Sequence, residues 1–187
     1  MRNYYDDISW SFLISSPSHS GDFFEESVVL LLEDNEDGAF GIAINKPGGK
    51  KLGEISAEFE STPLEDVEIF DGGPVGKETV SIAVCSRGGE CECGGSFSFG
   101  TTTQNAIEEI SNNPDAKVAA FSGYSGWAPK QLQSEISEGE WIVSNADIGA
   151  IFEIPAEDIW RELLIRERPE YACLLYTSPS PRDMRRS

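Results

Sequence analysis

Positive charge is scarce in this 187-residue chain. It has 14 Lys and Arg against 33 Asp and Glu, a formal net charge of −19. Nucleic-acid binders gather Lys and Arg into patches that neutralise phosphates, and a field of the opposite sign repels them. Here the basic residues are scattered. Only Lys46, Lys50 and Lys51 fall close together, and Glu54 and Glu58 follow them. The composition argues for a solvated acidic surface and against direct contact with DNA or RNA. Histidine is scarcer still: His19 is the only one, in a polar loop, so any Ser-His-Asp machinery has one position to draw on. Long apolar runs are missing. The longest, Val28 to Leu32, is far short of the ~20 residues of a membrane helix. The start, Met1-Arg2-Asn3-Tyr4-Tyr5-Asp6-Asp7, has neither the apolar stretch nor the cleavage pattern of a secretory signal. A cytoplasmic protein is expected.

Cysteine is sparse too. Cys85, Cys91 and Cys93 lie within one short stretch. Their C-x5-C-x-C spacing is not a standard zinc pattern and lacks a fourth ligand, and one intervening residue strains a Cys91–Cys93 disulfide. Free cytosolic thiols are the favoured reading, with a metal or redox site as the rival. No phosphate-cradling P-loop and no dinucleotide fingerprint occurs. No cofactor and no metal is called for.

What remains is an ordinary globular composition. A chain near ~150 residues buries roughly 70% of its unfolded surface, so a core forms without disulfide or metal. One domain over residues 1–172 is expected, with no internal linker. Residues 173–187 look foreign. Cys173 to Asp183 reads as one frame of a transposase-type sequencing adapter, and Met184 to Ser187 as index or vector sequence. Setting aside Arg182, Asp183, Arg185 and Arg186 leaves 11 basic and 32 acidic residues, a net charge of −21.

Strands are expected at Ile8–Ser15, Ser27–Glu33, Phe40–Asn45, Val67–Phe70, Thr79–Cys85, Ser96–Phe99, Lys117–Ser122, Glu140–Ser144 and Ile148–Phe152. The run at Ser27–Glu33 suits a strand buried on both faces. It forms a hairpin with Phe40–Asn45 through a slightly long loop at Asn35-Glu36-Asp37-Gly38. Helices are expected at Leu52–Phe59, from a Thr102 or Thr103 cap to about Ser111, from Pro129 in a first turn to about Ser137, and from Pro155 onward. The alternation predicts an α/β fold: a single layered domain with a mixed β-sheet flanked by helices.

Three segments, in order and well spaced, carry a resemblance. They are Ser27 to Pro47, Phe70-Asp71-Gly72-Gly73-Pro74-Val75, and Phe121 to Ile136 followed by Trp141. Together they resemble the YqgE/AlgH family of bacterial proteins, over about Phe12 to Arg166. The resemblance implies a compact α/β fold with a mixed sheet. It implies no catalytic residue set, and some members carry the label of transcriptional regulator. The chain departs from the family pattern at Lys46, commonly Arg, at Asp34, often His, and at Ala128 and Lys130, often Gly. An ammonium does not reproduce a guanidinium fork, so a bidentate anion contact at Lys46 is not expected to carry over.

Two readings of the matched loops are open. In the first, Asn45 and Lys46, then Asp71, Gly72 and Gly73, then Gly123, Tyr124, Gly126 and Trp127 meet at strand ends to form a Gly-rich crevice, that of an enzyme or of a sensor for a small molecule or anion. Gln131 and Glu135 complete it, and a helix starting near Ala128 offers free N–H groups. In the second, the glycines supply tight turns, Trp127 and Trp141 fill core, and Gln131 and Glu135 brace a loop. Gly123-Tyr124-Ser125-Gly126 is not a nucleophile elbow, because Trp127 stands where the final Gly belongs. The expected function is regulation or interaction through an unknown protein or small ligand. The oligomeric state is not readable.

Overall fold

The computed structural model describes residues 8–87, 95–145, 147–148 and 154–177. Cys91 and Cys93, the expected strand beyond Ile148, and residues 178–187 lie outside that set.

The fold is built around one long strand shared by two halves of a sheet. In chain order the strands are β1 (Ser11–Ser15), β2 (Val28–Asn35), β3 (Gly38–Ala43), β4 (Pro47–Lys51), β5 (Glu68–Asp71), β6 (Val75–Arg87), β7 (Gly95–Thr101), β8 (Lys117–Trp127) and β9 (Trp141–Asn145). The first half of β8 has β5, and beyond it β4, on one side, and β6, and beyond it β7, on the other. Its second half pairs with β3, and the sheet continues through β2 and β1 to β9. Among the described residues only the β5–β8 pair is parallel; the rest are antiparallel. The sheet is therefore mixed, as the alternation of elements predicts.

The helices among the described residues include α1 (Leu52–Ile55), α2 (Thr103–Asn112), α3 (Gln131–Ser137) and α4 (Ala156–Glu167), followed by a short α5 (Ala172–Thr177). The first half of β2, Val28 to Leu31, is buried on both faces, and its alternation sorts the core. Val28 and Leu30 join Phe12, Ile14 and Ile42 under Ile159, Trp160, Leu163 and Leu164 of α4. Val29 and Leu31 face the other way, onto Leu13, Trp127, Trp141 and Leu132 of α3. A third cluster packs Ala106 of α2 with Leu52, Leu64, Ile69, Ile82, Val84 and Ala120. Each such side chain taken from water contributes about 1.5–3 kcal/mol, so α4 alone is anchored by four. Thr102 caps α2, its hydroxyl accepting the Asn105 N–H at 3.2 Å.

Several expectations need correcting. The β2–β3 loop is only Glu36 and Asp37, with Asn35 paired to Gly38 and the Asn35 side chain accepting the Asp37 N–H at 2.8 Å. An Asn supplies this local turn bond, which lets the strands run longer than their apolar residues. The expected helix over residues 52–59 is α1 plus a separate 3-10 turn, Ala57–Phe59. Pro129 precedes α3 and does not sit in its first turn: Lys130 takes a left-handed backbone, φ 64°, at the N-cap. The largest correction is that residues 123–127, expected as a loop, are the second half of β8. Glycines and a polar residue hid a strand whose alternate positions, Ser125 and Trp127, are buried.

Candidate functional site

The loop geometry follows from a topological problem. Strand β5 lies on one edge of β8 and β6 on the other, so the short link between them, Gly72-Gly73-Pro74, must cross β8. Gly72 fills the gap where the edge of β8 passes from β5 to β3. Its N–H donates to the Ser122 carbonyl at 2.8 Å, and its carbonyl accepts from the Ala43 N–H at 2.8 Å and the Ser125 hydroxyl at 3.2 Å. Gly73 then lies against the β8 backbone. A Cβ there would stand 2.0 Å from the Tyr124 carbonyl carbon, which no side chain tolerates. Gly123, at φ 71°, makes the bend in β8 at the crossing, and a Cβ on it would meet the Gly73 carbonyl at 2.6 Å. The room these three glycines open is filled by the chain's own backbone.

Asn45 is buried and ties the end of this region to the loop before β2. Its Oδ1 accepts the Val28 N–H and its Nδ2 donates to the Glu26 carbonyl, both at 2.8 Å. Lys46 donates through Nζ to the Glu25 carbonyl. Desolvation by burial lowers its pKa, against the opposing pull of Glu26, Glu25, Asp22 and Asp71. Asp71 forms an ion pair with Lys77 at 2.8 Å, and Lys77 Nζ also lies 5.3 Å from the centre of the Phe23 ring. The second oxygen of Asp71, Oδ1, is buried without a hydrogen-bond partner.

The residues after β8 form a separate network on the α3 side. Glu135 Oε2 accepts the indole N–H of Trp127 and that of Trp141, each at 2.8 Å. Its Oε1 accepts from Gln131 at 2.9 Å. Gln131 Oε1 in turn accepts the Ala128 N–H at 3.0 Å, so the N–H expected to be open to an anion is engaged inside the chain. Phe24 stacks on Trp127 at 6.2 Å and meets Trp141 edge-on at 5.3 Å. The role of Trp141 as a second donor was not legible from spacing, because it comes from a different strand.

Tyr124 and Gly126 stand apart from both groups. Tyr124 is 36% exposed and its ring packs on Phe40 at 5.0 Å. The sequence-predicted residues thus fall into three sets. Asn45, Lys46, Asp71, Gly72, Gly73 and Gly123 cluster at the crossing. Trp127, Gln131 and Glu135 join Trp141. Tyr124 and Gly126 face outward.

Among the described residues no group of three or more His, Cys, Asp and Glu side chains is placed to hold a metal ion. Cys85 is buried beside the Lys117 carbonyl, and burial pushes its thiol up to about 12. His19 pairs with Asp22 at 2.9 Å. No helix among the described residues is long and apolar enough to cross a membrane.

Fold and site together define an acidic α/β protein whose mixed sheet is stitched by a backbone crossing at Gly72-Gly73. The family model described as AlgH-like matches residues 12–172, and the chain belongs to that family. It is 30% identical over 167 residues to a UPF0301 protein of Streptomyces coelicolor, with 86% of each chain covered. It is 31% identical over 164 residues to a UPF0301 protein of Shewanella oneidensis, covering 81% of this chain and 86% of the relative. Among solved structures, the AlgH protein of Pseudomonas aeruginosa superposes with a TM-score of 0.65 at 25% identity, covering 96% of this chain and 97% of the other. Protein DIP2367 of Corynebacterium diphtheriae, at 21% identity and a TM-score of 0.64, shares the fold, with 95% and 91% covered.

Proposed function

We propose that this chain is a cytoplasmic, non-catalytic regulatory protein that acts by binding another protein and not by direct contact with DNA. One observation carries the reading. The polar groups nominated for chemistry, Asn45, Gln131 and Glu135, hydrogen-bond within the chain, and the glycines between them are filled by backbone. Little is left at that place to act on a substrate. The net charge of −19 points the same way, since a phosphate backbone would be repelled.

A small-ligand reading keeps one support, the unpartnered Asp71 Oδ1 near Lys77. It predicts that Asp71→Asn changes the melting shift produced by a bound small molecule, and a shift unaffected by the change removes that support.

The main reading is tested by fluorescence anisotropy with labelled random-sequence duplex DNA at about 50 mM and about 200 mM salt, where phosphate contacts give a steep dependence. No binding at the lower salt is expected. Binding that falls by several orders of magnitude between the two would reveal a basic face and overturn the proposal.

A further inference from the structure

The outward-facing set gives the partner-binding reading a location. Tyr124 lies across two glycines. A Cβ on Gly76 would stand 3.3 Å from its ring, and one on Gly126 3.4 Å. The ring therefore lies flat on the sheet, and no side chain from either neighbour shields it from the sides. Phe40 closes one end at 5.0 Å, and Phe99 extends the aromatic row, 5.7 Å from Phe40. Val75, paired with Tyr124 across β6 and β8, is 42% exposed. Two of the few large apolar side chains left exposed are thus neighbours on one face. Gly126 is not demanded by a close backbone contact, its nearest backbone atom being the Ala39 carbonyl oxygen at 4.0 Å, whereas Gly76 also serves the backbone, at φ 64°.

Charge selects the occupant. Glu33 is the cross-strand partner of Phe40 and shares its face, and exposed Glu36 and Asp37 form the adjoining turn. The whole chain carries −19. A second copy would bring two such charges together over a small apolar contact, which self-repulsion opposes. A basic amphipathic segment satisfies both the ring and the acidic rim. We propose that the shelf formed by Phe40, Val75, Gly76, Phe99, Tyr124 and Gly126 docks a basic amphipathic segment of a partner protein, its apolar face on Tyr124 and Val75 and its Lys or Arg toward Glu33. This rests on the protein-binding reading above.

The probe is a labelled synthetic Lys/Leu amphipathic peptide of about 18 residues, an ordinary helix length. Anisotropy against the full chain should show saturable binding. The same peptide with Ser for Leu, and a Glu/Leu version, should bind at least about tenfold more weakly. Val75→Lys and Tyr124→Ala should each weaken the Lys/Leu peptide by about tenfold or more, as truncation of a central anchor does. Ile55→Lys makes the same charge change at an exposed apolar residue elsewhere and should weaken it by less than about threefold, as for a remote surface charge. Circular dichroism confirms that each variant folds. Equal losses at Val75 and Ile55, or equal binding of the Ser peptide, would show bulk charge attraction and overturn the site. Sedimentation showing a wild-type dimer that Val75→Lys dissolves would assign the shelf to a second copy and overturn the choice of partner. Each of these failures leaves the broader reading standing, whereas salt-sensitive DNA binding refutes that reading itself.

Discussion

Glu135 is the residue whose removal tests the structural account most sharply. One of its oxygens accepts two indole N–H groups at 2.8 Å, from Trp127 and Trp141, whose side chains are buried. Glu135→Ala strands both donors. A buried donor left without a partner costs about 1–3 kcal/mol, so the two together cost about 2–6 kcal/mol. The gain in helix propensity from Ala offsets only a few tenths. Against a total stability of about 5–15 kcal/mol, this is enough to lower the urea midpoint sharply. Glu135→Gln separates hydrogen bonding from charge. Its carbonyl oxygen still serves both indoles, but its amide then faces the Gln131 amide. Gln131 cannot turn over without losing the Ala128 N–H. A loss of about 1–2 kcal/mol follows, the difference between charge-assisted and neutral bonds. The assay is urea unfolding followed by far-ultraviolet circular dichroism, because the variants change the tryptophan signal itself. A loss below about 1 kcal/mol for Ala, or equal losses for Ala and Gln, would refute the network.

Three further outcomes follow from the same geometry. Gly73→Ala puts a Cβ 2.0 Å from the Tyr124 backbone and should abolish the soluble fold, whereas Gly49→Ala, at φ 72° with open space around it, should cost only about 1 kcal/mol in the same unfolding assay. Asn45→Ala leaves the Val28 N–H and the Glu26 carbonyl unpaired and should destabilise by about 2–4 kcal/mol, read by thermal melting. Cys85 should resist iodoacetamide in the native protein at pH 8 and react on unfolding, since its thiol stays protonated up to about 12 while exposed Cys173 is labelled. The sign of the linked effect is fixed: above the ordinary value of 9.0 the unfolded thiol ionises and the folded one does not, so stability falls with rising pH from about 9 to about 12.

The sequence was legible where periodicity and local chemistry decide structure. Val28–Leu31 buries alternate residues into two different clusters, and an unbroken apolar run predicts that. Thr102 caps a helix by a bond only three residues long. What failed was decided at long range. Gly123 to Trp127 looks like a loop because glycine and serine dominate it, yet it is a strand because β3 and β6 flank it. The rule that places ligands at strand ends belongs to parallel sheets, and among the described residues this sheet has one parallel pair. Gln131 and Glu135 were placed correctly as helix neighbours, but the tryptophan of β9 that shares their carboxylate lies six residues away across a turn.

The three segments that carry the family likeness can now be given one physical cause. Ser27 to Pro47 contains β3, the strand that takes over the edge of β8. Asp71 to Val75 is the link that must cross β8, and Phe121 to Trp127 is the stretch of β8 that is crossed. All three meet at Gly72, which bonds to Ala43, Ser122 and Ser125 at once. A motif of this kind specifies a topology. Any side chain at Gly73 destroys the crossing, so the glycines are required whether or not a ligand exists. Function is then free to vary on surfaces the crossing does not use. Tyr124 illustrates the separation: its backbone is pinned by Gly73, while its ring points outward against Phe40 and remains open to a partner. A likeness that rests on the crossing therefore predicts the fold of a relative with more force than it predicts what that relative binds.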